Sequence, residues 1–150
     1  MANLAIPTDR DPALVADVGF APAFSVTLEY DEQAQMQTPR GGRIYHRIAG
    51  GSVSGRITGT VYPTGAGEYS LQRGDGVIDH RGYVLLRDEA GEWVYLHNMG
   101  YQRPDGYFRV TSWVDADVRS RHSWVLGLFF IGIGRPAGPK SVTIDYCEVL

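Results

Sequence analysis

Asp79 and Arg81 stand two positions apart in GVIDHRGYVLL (76–86), a stretch whose Val, Ile, Tyr and Leu content suits a β-strand. Strand alternation sends both side chains to one face, together with Val77, Tyr83 and Leu85. The opposite face carries Ile78, His80, Val84 and Leu86. Neither face is uniformly polar, so cover is expected on both sides. The two charges then need partners, because an unpaired buried charge is costly. Arg109 in GYFRV and Glu68 in GAGEY are the candidates. Carboxylates and guanidiniums inside an apolar, aromatic cavity have the makeup of a small-molecule site. Arg81 and Arg109 would hold an oxyanion by charge-assisted bonds, and Asp79 or Glu68, partly desolvated, would act as general acid or base. A structural ion-pair network of Asp79, Arg81 and Arg109 is an equally good reading of the same residues. Glu68 also reads as a solvated carboxylate beside a turn.

The stretch EWVYLHNMGY (92–101) sends Trp93, Tyr95, His97, Met99 and Tyr101 to one side. His97, two positions from Tyr95, is the candidate proton shuttle. The same stripe reads more readily as core or subunit contact than as a binding wall, and His97 as a satisfied structural histidine. Tyr69, Tyr95, Tyr107, Trp113 and Trp124 complete the candidate ligand contacts. His46, His80, His97 and His122 show no His-x-His or His-x₃-His spacing, and Cys147 is the only cysteine. No metal site and no disulfide are therefore expected. The glycines fall between strands and not ahead of a helix, so no phosphate loop is read, and no nucleophile elbow is present. Proton transfer without a cofactor is the chemistry that remains.

These residues must be positioned by strands. Nineteen glycines and eight prolines punctuate 150 residues with turn signals at AGGSVSG (49–55), PTGAG (63–67), RGDG (73–76), DEAG (88–91), RPDG (103–106) and RPAGPK (135–140). Strands are expected at 24–30, 43–48, 56–62, 68–73, 77–87, 92–101, 107–114, 124–133 and 141–149. Eight or nine strands with hairpin-length connections point to an all-β, antiparallel, up-and-down barrel, which hides its edges by closure; a β-sandwich is the alternative. Residues 1–20 read as an N-terminal arm, with one or two helical turns in DPALVADVG, and 21–150 as a single domain. The polar run at 31–42 reads as a long loop and part of a lid over one barrel mouth.

Several segments carry a family resemblance: GGRIYHRIAGGSVSGRITGTVYPTGAGEY (41–69), DHRGYVLL (79–86), GYFRV (106–110) and GLFFIGIG (127–134). In this order they resemble the family catalogued as domain of unknown function 3237, over roughly residues 20–150. The resemblance implies a closed or nearly closed antiparallel barrel of lipocalin-like (calycin) or allene-oxide-cyclase-like architecture, with a pocket and no assigned reaction. The family's Gly-x-Asp-Trp is matched by Gly67-Glu68-Tyr69, which keeps a carboxylate and an aromatic but lengthens the acid arm. Its Asp-x-Arg-Tyr is matched by Asp79-His80-Arg81 with Gly82 before Tyr83. Tyr-Phe-Arg is intact as Tyr107-Phe108-Arg109. Trp-Leu-Asn becomes Trp124-Val125-Leu126, without the amide.

The net charge of −3 gives no footprint for nucleic acid or an anionic membrane, and no apolar run is long enough to span a bilayer. The N-terminus lacks a basic start followed by an apolar run, so a cytoplasmic protein is expected. The expected function is a cofactor-independent isomerase, cyclase or lyase moving a proton on an aromatic or polyketide-like molecule. A non-catalytic carrier of such a molecule and an oligomeric barrel filled by side chains are the alternatives. The apolar run at 125–134 exceeds what one lumen requires, so its outer face is expected to meet a second copy in a homodimer.

Overall fold

The computed structural model describes residues 18–150. The arm over 1–20 and the helical turns in 11–19 fall outside it, except for their last residues. Nine strands follow one another: β1 (Phe20–Thr38), β2 (Gly41–Gly55), β3 (Gly59–Val61), β4 (Gly67–Gln72), β5 (Ile78–Asp88), β6 (Trp93–Gln102), β7 (Phe108–Ala116), β8 (Phe130–Gly138) and β9 (Ser141–Val149). Every pairing is antiparallel, and each strand from β5 onward pairs with the next. β1 bonds both β2 and β9, so the sheet closes on itself. Short β3 and β4 share one place in the ring, each lying between β2 and β5. The fold is the barrel expected from the turn spacing.

The turns explain the connectivity. RGDG and RPDG are built alike: Arg73 and Arg103 each pair with the aspartate two residues on, and that aspartate accepts an N–H from Val77 or Tyr107. The closing glycines, Gly76 and Gly106, have φ of 83° and 91°, the left-handed backbone a β-carbon would penalise.

Inside the ring, alternate residues form one core. Val26, Leu28, Ile48, Val84, Leu86, Leu96, Val110, Ile144 and Tyr146 are buried, while their chain neighbours face outward. This core fills the middle and one end of the barrel. A 3₁₀ turn at Ser123–Val125 closes that end, with Val125 and Ile57 buried against it. The other end stays open.

Three elements differ from their sequence reading. The polar run at 31–42 is no loop: Asp31–Thr38 continues β1 and pairs with Gly41–Arg47 of β2. This ribbon buries little on either face, so it leaves no hydrophobic period to detect. AGGSVSG is strand, with Gly51 at φ 138° where a β-carbon would strike the Thr27 carbonyl. The apolar run at 124–133 enters its strand only at Phe130, because the preceding residues plug the closed end. A buried plug and a buried strand have the same apolar composition.

Candidate functional site

The open end of the barrel holds a cavity of about 230 Å³ whose walls include Tyr30, Ile44, His46, Glu68, Ser70, His80, Gln102, Phe108 and the β8–β9 turn at Gly138–Ser141. Its chemistry centres on Glu68, a carboxylate only 5% exposed. The Tyr30 hydroxyl donates to Glu68 Oε1 at 2.7 Å. Glu68 Oε2 faces two imidazoles, with His80 Nδ1 at 3.8 Å and His46 Nδ1 at 3.9 Å. Neither distance is a hydrogen bond, and His46 Nδ1 is shielded and has no partner among the described residues. A ligand hydroxyl set between Glu68 and His46 would satisfy both, donating to the carboxylate and accepting from a protonated His46 Nδ1.

His80 is held on each side. Its Nε2 lies 3.0 Å from Gln102 Oε1, which only accepts, so Nε2 carries the proton. Nδ1 then offers its lone pair to the Ser70 hydroxyl at 3.3 Å. The ring stacks on Phe108, centroids 4.6 Å apart. That stack depends on a missing side chain: a β-carbon at Gly134 would lie 2.1 Å from the Phe108 ring. Gly134 of β8 therefore makes room for the aromatic that stacks on His80. Tyr30 reaches the cavity at a β-bulge, where the β1–β2 register shifts on both sides of it. Burial, followed by the nearby Glu68 charge, holds the Tyr30 hydroxyl protonated far above the ordinary phenol range. Beneath this layer Tyr146 donates to Asn98 Oδ1 at 2.9 Å, and burial raises its hydroxyl too.

Of the sequence-derived candidates, Glu68 alone lines this cavity. Asp79, Arg81 and Arg109 do not converge in the lumen. They alternate with the buried His80, Gly82, Phe108 and Val110 and so face outward. Arg81 bonds Asp79 at 2.8 Å, and Arg109 donates to the Phe108 carbonyl. The error was one of phase. β5 puts small or apolar residues and His80 inward, and the charged pair outside, where water solvates it. His97, Tyr69, Tyr95 and Trp113 also lie on the outer face, Tyr107 follows an exposed turn, and Trp124 sits in the closing segment with Arg56 over its ring. Tyr30, His46 and His80 were not among the candidates. His46 and Glu68 are register partners on β2 and β4, a pairing no sequence spacing announces.

A second carboxylate–histidine pair lies at the closed end. His122 Nε2 donates to Asp88 Oδ2 at 2.7 Å, and Asp88 Oδ1 accepts the N–H groups of Ala90 and Glu92. Burial pushes the Asp88 carboxyl up, but the His122 bond, these two N–H donors and the His122 charge together hold it below the ordinary carboxylate value. Asp88, Glu92 and His122 are close enough to share a cation, yet the Arg121 guanidinium lies 3.5 Å from Asp88 and 3.2 Å from Glu92. That cation already offsets one of the two carboxylate charges and occupies the approach to both.

A family model described as Protein of unknown function (DUF3237) matches residues 18–149. No curated protein matches the sequence. Among solved structures, a conserved protein of unknown function from Rhodopseudomonas palustris superposes with TM-score 0.80 at 21% identity, over 89% of this chain and 98% of that one. A β-barrel-like protein from Acinetobacter baumannii gives 0.78 at 17% identity, over 95% and 99%. An enzyme from Penicillium herquei gives 0.69 at 16% identity, over 89% and 93%. These likenesses concern the fold. Among the described residues no helix is long and apolar enough to cross a membrane.

Proposed function

The chain belongs to the DUF3237 family, and from that premise we propose that its open barrel end is the active site of a cofactor-independent enzyme moving a proton on a small molecule. The reaction class is isomerisation, cyclisation or elimination of water, on a substrate with an aromatic or polyketide-like body. One observation carries this reading: Glu68 is a buried carboxylate that faces two imidazole nitrogens without bonding either, at the wall of a cavity. Glu68 is the proton-moving group. His46, whose Nδ1 lacks a partner, binds or shuttles the same proton. Tyr30 orients Glu68 through Oε1 and leaves Oε2 for the substrate. Phe108, Ile44 and Val142 supply apolar wall for the rest of the ligand. The cavity suits a compact molecule. The enzyme from Penicillium herquei shares the barrel, which supports enzymatic use of this architecture and says nothing of the substrate.

A non-catalytic carrier is the second reading. It is favoured by His80, whose two nitrogens are both engaged, as in a wall built to stay still. A panel of small enolisable and phenolic molecules, screened first for binding by thermal shift and then for turnover by mass spectrometry, separates the two. The enzyme reading expects a binder that wild-type protein converts and Glu68→Gln binds without converting. Binders left unchanged by wild type would favour the carrier.

A further inference from the structure

We propose that two copies of this chain associate through the outer face of β5–β8, with β7 of one protomer lying antiparallel across β7 of its partner. Around Trp113, and apart from the Asp79–Arg81 pair at one corner on β5, the outer face of these strands is mainly aromatic and aliphatic. β7 presents Trp113, 63% exposed, and its neighbours across the sheet are His97 on β6 and then Tyr83 on β5. Tyr83 stacks on His97 at 4.6 Å, and His97 meets Trp113 edge-on at 5.7 Å. Next to β7 on the other side, β8 turns Ile131 and Ile133 outward, and Phe129 precedes them, 73% exposed. Four strands at about 4.8 Å spacing and a seven-residue row at about 3.4 Å per residue span roughly 15–20 Å each way. Within that area only Asp79, Arg81, Arg109 and Asp115 are charged, and an exposed, mainly aromatic and aliphatic face of this kind marks an interaction surface.

The occupant is argued from charge. The outward row of β7 reads Arg109, Thr111, Trp113, Asp115. Arg109 and Asp115 sit at its opposite ends, and neither makes an ion pair among the described residues; Arg109 spends one donor on the Phe108 carbonyl. A row with an unpaired cation at one end and an unpaired anion at the other is complementary to itself turned end for end. A two-fold axis crossing β7 between Thr111 and Trp113 places Arg109 against the partner's Asp115, and Asp115 against the partner's Arg109. Trp113 then packs on the partner's Thr111. The symmetry forms both ion pairs at once, as an isologous interface requires. An unrelated partner would have no reason to match that spacing.

Size-exclusion chromatography with light scattering at micromolar concentration tests this. Wild type is expected at twice the 16.5 kDa chain mass. Arg109→Asp or Asp115→Arg alone places two like-charge pairs in the interface and should raise the dimer dissociation constant at least tenfold. The double swap of Arg109→Asp with Asp115→Arg should return it to within about threefold of wild type. Circular dichroism confirms that each surface variant folds. A monomeric wild type, a single reversal that leaves the dimer intact, or a double swap as weak as the singles would each overturn the proposal.

Discussion

The two ends of the barrel each carry a buried carboxylate beside a histidine, and only one of the two carboxylates has both oxygens bonded. At the closed end His122 bonds Asp88 at 2.7 Å, and two backbone N–H groups take the other oxygen. Both Asp88 oxygens are bonded, and of this pair only His122 Nδ1 is left without a partner among the described residues. At the open end Glu68 keeps one oxygen for Tyr30 and points the other at two imidazoles 3.8 and 3.9 Å away. Identical functional groups thus serve as a latch in one place and, on the function proposed above, as a reactive centre in the other. What distinguishes them is whether both carboxylate oxygens are bonded, and whether a cavity adjoins.

Variants at each end should break this contrast in different ways. The largest effect is expected at Glu68: Glu68→Gln keeps an acceptor for Tyr30 but removes the base, and should lower kcat on a turned-over substrate by about 10²- to 10⁴-fold with the melting temperature close to wild type. Asp88→Asn should do the reverse. It should leave ligand binding alone and cost about 2–3 kcal/mol of stability in denaturant titrations, because the amide turns a donor toward His122. The acid limb sharpens the same point. The Asp88 carboxyl is held below its ordinary value in the folded state, so its stabilisation is complete above the unfolded-state pKa near 3.9 and is lost as pH falls through the lower folded value. Thermal melts of wild type between pH 2 and 6 should therefore show a fall that Asp88→Asn largely lacks. Tyr30→Phe is intermediate: losing the donor to Glu68 Oε1 should reduce kcat/KM about tenfold. Asp79→Asn with Arg81→Gln should change stability by no more than about 0.5 kcal/mol and turnover not at all, since that half-exposed pair lies outside the barrel. A large effect there would return the site to the outer face.

The turn signals RGDG, DEAG and RPDG could be read directly, since each specifies its own geometry within four residues. The strands between them followed from composition and alternation. The assignment of faces was harder. On β5 the inward set is His80, Gly82, Val84 and Leu86, and the outward set is Asp79, Arg81, Tyr83 and Leu85. Both sets mix polar and apolar residues, so the period of two was visible and its phase was not. Charges were taken as evidence for a polar interior when bulk water was the cheaper solvent for them. Glu68 is legible as a candidate partner for strand charges and through the match of Gly67-Glu68-Tyr69 to the family pattern, whereas His46 and His80 offer no spacing to each other or to it.

By itself the sequence determined the all-β class and a count of eight or nine strands, because turn chemistry and alternation act over a few neighbouring residues. It also determined the absence of a disulfide within the chain, since Cys147 has no second cysteine to pair with. Tertiary structure alone decided which face of each strand is the lumen, that one end is plugged by residues 123–128, and that Tyr30, His46, Glu68 and His80 meet. Those outcomes depend on closure of the ring and on the β1 bulge, which couple strands far apart in the chain. Contacts of that range leave no local period for a reader of the sequence to find.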